Sequence, residues 1–514
     1  MSKNLKAILS GAVALILSAA CIFCPAIIAG SPSAASASTG SSNTSAAESS
    51  ALASEYDISV SKRDASGEYD VQEAVTLLPD DDLTITEAGV YILSGNYENT
   101  MIVVDVSKED KVQLVLANAN LSNAGGPAIY VRSADKVFIT AAEGTVNTIS
   151  DGTSYTLTDD DTTLDAAVFS KEDLTINGAG SLTISGNYKH AVVSKDDLVI
   201  TAKDLTVNAV NVGLNGKDSV RISEADIRVT AGTDGIRSEN GSEEGKGFVS
   251  VADSNVTVVS GKDGIQAETA FIAENATITV TAGGGSSARS SDASESYKGI
   301  KAGTSIFING GVYQINALDD AIHANGSVVI SAGEFTLQSR DDGLHANETV
   351  TILGGTLNIS AYEGIESTYV LISDGNITIQ ASDDGINAGR KSSYSTPTVE
   401  ISGGTVNITM SAGDTDGIDA NGNIIISGGT ISVNGNSAFD YDGTASFTGG
   451  TVYVNGSRVT TLPNQMMGGG GRNNFGGYGG GMNGNGGNQG GYGGSQGGYG
   501  GGGFGGNGGR GGWH

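Results

Sequence analysis

Apolar and polar residues alternate in bursts of a few positions along most of this chain, with glycine or asparagine between the bursts. Thr349-Val-Thr-Ile-Leu and Thr356-Leu-Asn-Ile-Ser are representative: alternate side chains are aliphatic and β-branched residues are enriched. A period of two predicts strands of about three to five residues, because successive strand side chains point to opposite faces. Beyond the N-terminal apolar segment no stretch longer than a few positions carries helical periodicity.

The bursts recur at a fixed spacing. DDAIHAN at 319–325 returns as DDGLHAN at 341–347, 22 residues later. Aligned on the small residue after the acids, a ladder runs through Gly213, Gly235, Gly264, Gly299, Ala321, Gly343, Gly364, Gly385, Gly417 and Gly443. Weaker rungs at Ala128, Ala167 and Ala191 extend it upstream. The segments at 151–165, 283–297 and 389–397 lengthen single rungs and read as surface loops.

Three short strands per repeat cannot bury their inward faces alone, so successive repeats must stack, each strand about 4.8 Å from its counterpart. The predicted fold is all-β, a right-handed single-stranded parallel β-helix with about 13 coils of roughly 22 residues. VYILSGNY and VQLVLANANL lie outside the ladder, and Tyr56 to about Asn123 is assigned to N-terminal coils and a cap. Propeller blades need about 40 residues and leucine-rich repeats need leucines that are absent here, which excludes both.

The ends have other compositions. Lys3 and Lys6 precede an apolar stretch from about Ala7 to Ala29 and then small residues, the order of a secretory signal that is also long enough to anchor in a bilayer if uncleaved. Residues 1–30 are read as signal peptide or signal anchor, 31–55 as a Ser/Ala-rich linker, 56–463 as the β-helix and 464–514 as a glycine-rich disordered tail. This organisation predicts a protein that is secreted or associated with the cell surface. Tyr478, Tyr492, Tyr499 and Trp513 give the tail either a tether role or a means of self-association. Both cysteines, Cys21 and Cys24, fall in the signal segment, so the body has no disulfide chemistry. With 27 Lys plus Arg against 57 Asp plus Glu, a net charge of -30 argues against a nucleic-acid partner and favours a cation.

Stacking turns the acids of the repeat into a column. Asp319 and Asp320 would lie one coil from Asp341 and Asp342, then Glu363, then Asp383 and Asp384, then Asp414 and Asp416, then Asp440 and Asp442. Carboxylates about 5 Å apart repel by a few kcal/mol at an effective dielectric near 20, so such a column needs compensation. Solvation at Asp-Gly turns is one answer. The favoured answer is Ca2+, which takes about six to eight oxygens from carboxylates and carbonyls. The metal ligands named on this ground are Asp319, Asp320, Asp341, Asp342, Asp383, Asp384, Asp414 and Asp416. His323 and His345 should stack on one sheet, with Asn325 and Asn347 following in register.

No carboxylate pair stands out for glycoside hydrolysis, because acids are so plentiful. Lyase chemistry needs a base instead, and Lys298 and Lys301 in YKGIKAG, which replaces the acid of neighbouring rungs, are the weak catalytic candidates. A lysine among aspartates serves equally as a charge-balancing neighbour.

The signatures DGIRSENG, LDDAIHANGSVVISAG, RDDGLHANETVTILGG, SDDGINAG, DTDGIDANGNIIISGG and AFDYDGTASFTGGTVYVNG carry a resemblance over roughly residues 60–460. The chain resembles secreted carbohydrate-binding proteins first recognised in cellulose-degrading clostridia, right-handed parallel β-helices similar to calcium-dependent pectate lyases. The resemblance implies an extracellular calcium-bound module for plant-wall polysaccharide, such as polygalacturonate or cellulose, with calcium on the Asp-Asp pairs. Glu363-Gly and Lys298-Gly depart from the Asp-Asp-Gly pattern. A pectate-type lyase and a non-catalytic surface adhesion or structural protein are the alternatives.

Overall fold

A computed structural model of the protein describes residues 55–464, apart from 80–82, 157–162, 290–293 and 414. The signal segment, the linker up to 54, the tail from 465 and Asp414 lie outside the described residues. Within them the chain is all-β except for one short helix, Lys62–Ser66.

Each coil contributes three strands, and each strand pairs in parallel with its counterparts one coil before and one coil after. His190–Ser194 lies between Ala166–Ser170 and Leu214–Gly216, forming a first column. Asp197–Ile200 lies between Asp173–Gly178 and Ser219–Ser223, forming a second. Asp204–Ala209 lies between Ser181–Gly186 and Asp226–Ala231, forming a third. The alternation read in the sequence decides which side chains enter the core: in Thr356–Ala361 it is Leu357, Ile359 and Ala361 that are buried. Register puts like on like, with Ile278, Tyr313, Phe335, Leu357 and Ile377 successive in one inward row. The Tyr313 and Phe335 rings stack at 4.7 Å, 8° from parallel.

The small residue on each rung also has a steric cause. A Cβ on Gly385 would sit 2.4 Å from Ile408 Cγ2 and 2.5 Å from the carbonyl oxygen of Gly417, one coil on. The backbone of the next coil therefore passes where a side chain would stand. In chain order the insertions 151–165 and 283–297 precede the first-column strands Ala166–Ser170 and Ile300–Ala302, and 389–397 follows Ile386–Ala388.

Two expectations are corrected. Residues 75–123 do form N-terminal coils, but residues 56–68 run along the second column instead of forming a coil or cap. Tyr56 packs on Phe248 at 5.3 Å, Arg221 donates to the carbonyls of Asp57 and Ser59, and Gln113 donates to that of Glu68. Asp64, at the capping box of the short helix, is buried between Lys136 and Thr175. The last rung also shifts: Ser437, Phe439 and Asp440 pair with Asp416, Ile418 and Asp419, so Ala438 is the rung residue. Gly443 instead donates its N–H to Gly422 O in the following turn. Beyond it Thr451–Val454 pairs antiparallel with Ser457–Val459, which covers the last strand edge.

Because coil spacing is fixed by these close approaches, Gly385→Ala is expected to lower unfolding free energy by about 1–3 kcal/mol in urea titration. Unchanged stability would show that the contact at Gly417 does not set the spacing.

Candidate functional site

The outer face of the first column carries two rows of side chains. One is the row foreseen from the repeat, immediately before each small residue: Asp320, Asp342, Glu363, Asp384 and Asp416. The other stands three residues later, between inward residues that are mostly Ile and Ala: Lys301, His323, His345, Glu366, Asn387, Asp419 and Asp440 in strict register. Strand alternation places this second row beside the first, a signal present in every G-I-x-A but not used in reading the acids.

In the upstream coils the acids meet protein cations. Asp319, Asp320 and Asp341 come within 4.8 Å of one another, and Lys298 Nζ sits 2.7 Å from Asp319 and 2.8 Å from Asp320. Lys301 reaches Asp263 at 3.2 Å and Arg237 reaches Asp234 at 3.2 Å. His323 and His345 stack at 4.6 Å. Each presents Nδ1 at 2.7 Å to the carboxylate three residues before it, Asp320 and Asp342 respectively. The Nε2 atoms face Asn325 and Asn347 Oδ1 at 3.2 and 3.3 Å, so oxygen acceptors flank both nitrogens of each ring. At His345, where Asp342 and Glu366 both approach Nδ1, these acceptors favour the imidazolium form. Asp320, His323 and His345, and likewise Asp342, His345 and Glu366, bring ligand-type atoms within 4.8 Å of one another.

Electrostatics follows from these contacts. Burial disfavours ionisation of Asp320, but the hydrogen bond to His323 and the charge of Lys298 outweigh it and hold the carboxyl below its usual range. Burial also opposes the charge on His345, yet bonds to Asp342 and Glu366 raise it to about 10. Glu366 is lowered to about 2 against its own burial by His345 and by an ion pair with Lys391, from the 389–397 insertion. Asp342 is pushed up by burial and by neighbouring Asp320, Glu366 and Asp341.

Downstream the cations stop. Glu363, Asp383 and Asp384 bring carboxylate oxygens within 4.8 Å of one another. Among the described residues no lysine, arginine or histidine forms an ion pair with Glu363, Asp383, Asp384, Asp419 or Asp440. Burial, with Glu366 and Asp342 nearby, raises Glu363 to about 8. Burial, with Asp383, Asp416 and Asp440, raises Asp384 to about 6 although it accepts the Asp416 N–H at 3.0 Å. Burial and four surrounding aspartates raise Asp419 to about 7. Asn387 donates to Glu363 at 3.1 Å, while Asn387 Oδ1 and Asp440 Oδ1 are buried with no hydrogen-bond donor. Clustered carboxylate and amide oxygens with few donors and no pairing cation among the described residues have the chemistry that suits a hard cation.

The structure thus brings Asp319, Asp320 and Asp341 together around Lys298, places Asp342 with His345 and Glu366, and joins Asp383 and Asp384 to Glu363. Asp416 adjoins Asp384. Asp442 leaves the column with the shift of the last rung. Asp419 and Asn387 lie three residues beyond the acids of the repeat and were not foreseen, while Asp440, expected in line with Asp416, pairs with Asp419 instead.

Replacing His345 would leave buried Asp342 and Glu366 without their shared donor. His345→Gln is expected to cost about 3–5 kcal/mol near pH 6. The folded-state value of His345 lies above its unfolded value near 6.5, so its contribution is complete below about pH 6.5 and declines as pH rises toward about 10. Denaturant titration of both proteins across that range should show the gap closing; a gap independent of pH would contradict the imidazolium assignment.

The family profile described as "Carbohydrate-binding domain-containing protein" matches residues 79–343 and 337–461, most of the chain and all of the acid column. A carbohydrate-binding domain-containing protein of Acetivibrio thermocellus is 34% identical over 129 residues, which is 25% of this chain and 45% of that relative, so the match spans just under half the relative's length. A solved polysaccharide lyase-like protein from C. thermocellum, a gadolinium derivative, is 35% identical, with 43% of this chain and 86% of that one covered at a TM-score of 0.38. On the extent of the profile match, the chain belongs to the family of carbohydrate-binding domain-containing proteins.

Proposed function

We propose that the protein is an extracellular, calcium-binding module that holds plant-wall-type polysaccharide, polygalacturonate or cellulose, along the outer face of the first column. Family membership supports the carbohydrate part of this reading. The calcium part rests on one observation: buried carboxylates at Glu363, Asp384 and Asp419 are pushed up to about 8, 6 and 7 with no ion-pairing cation among the described residues. Ca2+ held by Glu363, Asp383, Asp384 and the Asn387 amide oxygen, or by Asp416 and Asp419, would supply the missing charge and fasten neighbouring coils. It would also offset the repulsion between this acidic chain and a uronate polymer. Asp319 and Asp320 already have Lys298 in the position a cation would take, so the downstream coils are the better home for calcium. The coils wind right-handed in this reading, the hand that right-twisted parallel strands favour. The N-terminal apolar segment would direct export or anchoring.

The lyase alternative requires a base that can shed its proton. Burial would ease that at Lys298, but Asp320 and Asp319 outweigh it and hold the ammonium above its ordinary value. Lys301 is engaged by Asp263. These pairings favour retention of polysaccharide over its cleavage.

In the presence of chelator, Asp384→Asn should raise stability by about 1 kcal/mol at pH 8, since it removes a buried charge that its neighbours disfavour. Calcium should raise the melting temperature of the unsubstituted chain and do so less for the variant, with retention on polygalacturonate gels following the same order. A chain whose stability and retention ignore calcium would contradict the metal reading.

A further inference from the structure

Beside the downstream acids the insertion at 283–297 and the ends of third-column strands enclose a groove of about 460 Å³. That size lies within the range of about 300–1,000 Å³ typical of small-ligand sites. Its lining includes Ser286, Gln338, Arg340, Ser360, Tyr362 and Ser382. Three of these stand directly before the acids: Arg340 before Asp341, Tyr362 before Glu363 and Ser382 before Asp383. The groove and the acid cluster are therefore neighbours by covalent connection. Residues 286–288 of the insertion are tied to the body, since Ser286 donates its N–H to Asn316 Oδ1 at 2.7 Å and Arg340 Nη1 donates to Ala288 O at 3.1 Å.

Two side chains stand out. In a chain of net charge -30, Arg340 is exposed, and no carboxylate among the described residues forms an ion pair with it. Its bond to Ala288 uses one of five donors, and the remaining fork suits a planar carboxylate. Tyr362 is 46% exposed, a large ring left open on the surface. Its phenol lies against the Asp383 carboxylate, which raises its pKa. The ring thus links the groove to the acid cluster. The serine hydroxyls and the Gln338 amide add neutral donors and acceptors of the kind that sugar hydroxyls match.

We propose that this groove is a subsite for one uronate unit of an anionic polysaccharide, with Arg340 binding its carboxylate and Tyr362 covering the apolar face of its ring. The assignment rests on the polysaccharide-binding reading above and narrows it to carboxylated sugars at this position. A neutral glucan would leave the Arg340 fork without a counter-charge, whereas a uronate provides one.

The test uses the full chain with saturating calcium and two probes, polygalacturonate and the same polymer fully methyl-esterified, in affinity electrophoresis. Arg340→Gln should weaken binding to polygalacturonate by roughly tenfold, a change of about 1.4 kcal/mol, and leave the esterified polymer unaffected. Tyr362→Ala should weaken both, and Arg458→Gln, in the terminal hairpin, should weaken neither. Unchanged melting temperatures would exclude misfolding as the cause, and Arg340→Lys, which keeps charge without the fork, should restore only part of the loss. Equal loss on both polymers for Arg340→Gln, or no loss for either groove variant, would overturn the subsite while leaving polysaccharide binding in place. Failure of the unsubstituted chain to bind either polymer would instead overturn the reading beneath it.

Discussion

Backbone hydrogen bonds between successive coils impose the constraint from which the other properties of this protein follow. Gly299 and Ile300 donate to Asp320 and Ala321 at 3.0 Å, and the same exchange recurs along the first column. It holds each residue about one strand spacing from its counterpart in the next coil, roughly 4.8 Å. Inside the coil this favours the fold, because aliphatic side chains and the Tyr313–Phe335 pair stack on their own kind. Outside, it stacks charge on charge, and repulsion at such spacing amounts to several kcal/mol per pair unless something offsets it.

The protein offsets that repulsion in only part of the column. Arg237, Lys298, Lys301, His345 and Lys391 provide positive charge from the coil of Asp234 to that of Glu366. From Glu363 through Asp384 to Asp419, burial and neighbouring acids push the carboxyls up, and among the described residues no cation pairs with them. A fold that had only to persist would have no reason to differ between its two halves. This asymmetry is what the proposed calcium site in the downstream coils would explain.

Much of this could be read from the chain because the repeat is regular. Alternation in segments such as Thr356–Ala361 fixed the strands, and the Asp-Asp-Gly spacing fixed which acids would stack. The steric reason for glycine, the passing carbonyl of the next coil at Gly385, belongs to the stacked state and has no local signature. Asp419 and Asn387 were hidden by the same regularity, since attention to the residue before glycine passed over the outward residue three places later. Spacing alone favoured Gly443, whereas the strand register places Ala438 opposite Gly417 on the final rung. Lys391 and the groove at Arg340 depend on where insertions fold back, which short-range pattern does not encode. The strap at 56–68 likewise depends on long-range partners, Phe248, Arg221 and Gln113.

The most direct test is anomalous diffraction from crystals of the protein grown with calcium. The account predicts a peak enclosed by Glu363, Asp383 and Asp384 or by Asp416 and Asp419, and none between Asp319 and Asp320, where Lys298 stands. A peak at Asp319 and Asp320 with Lys298 displaced, or no peak anywhere along the column, would contradict it.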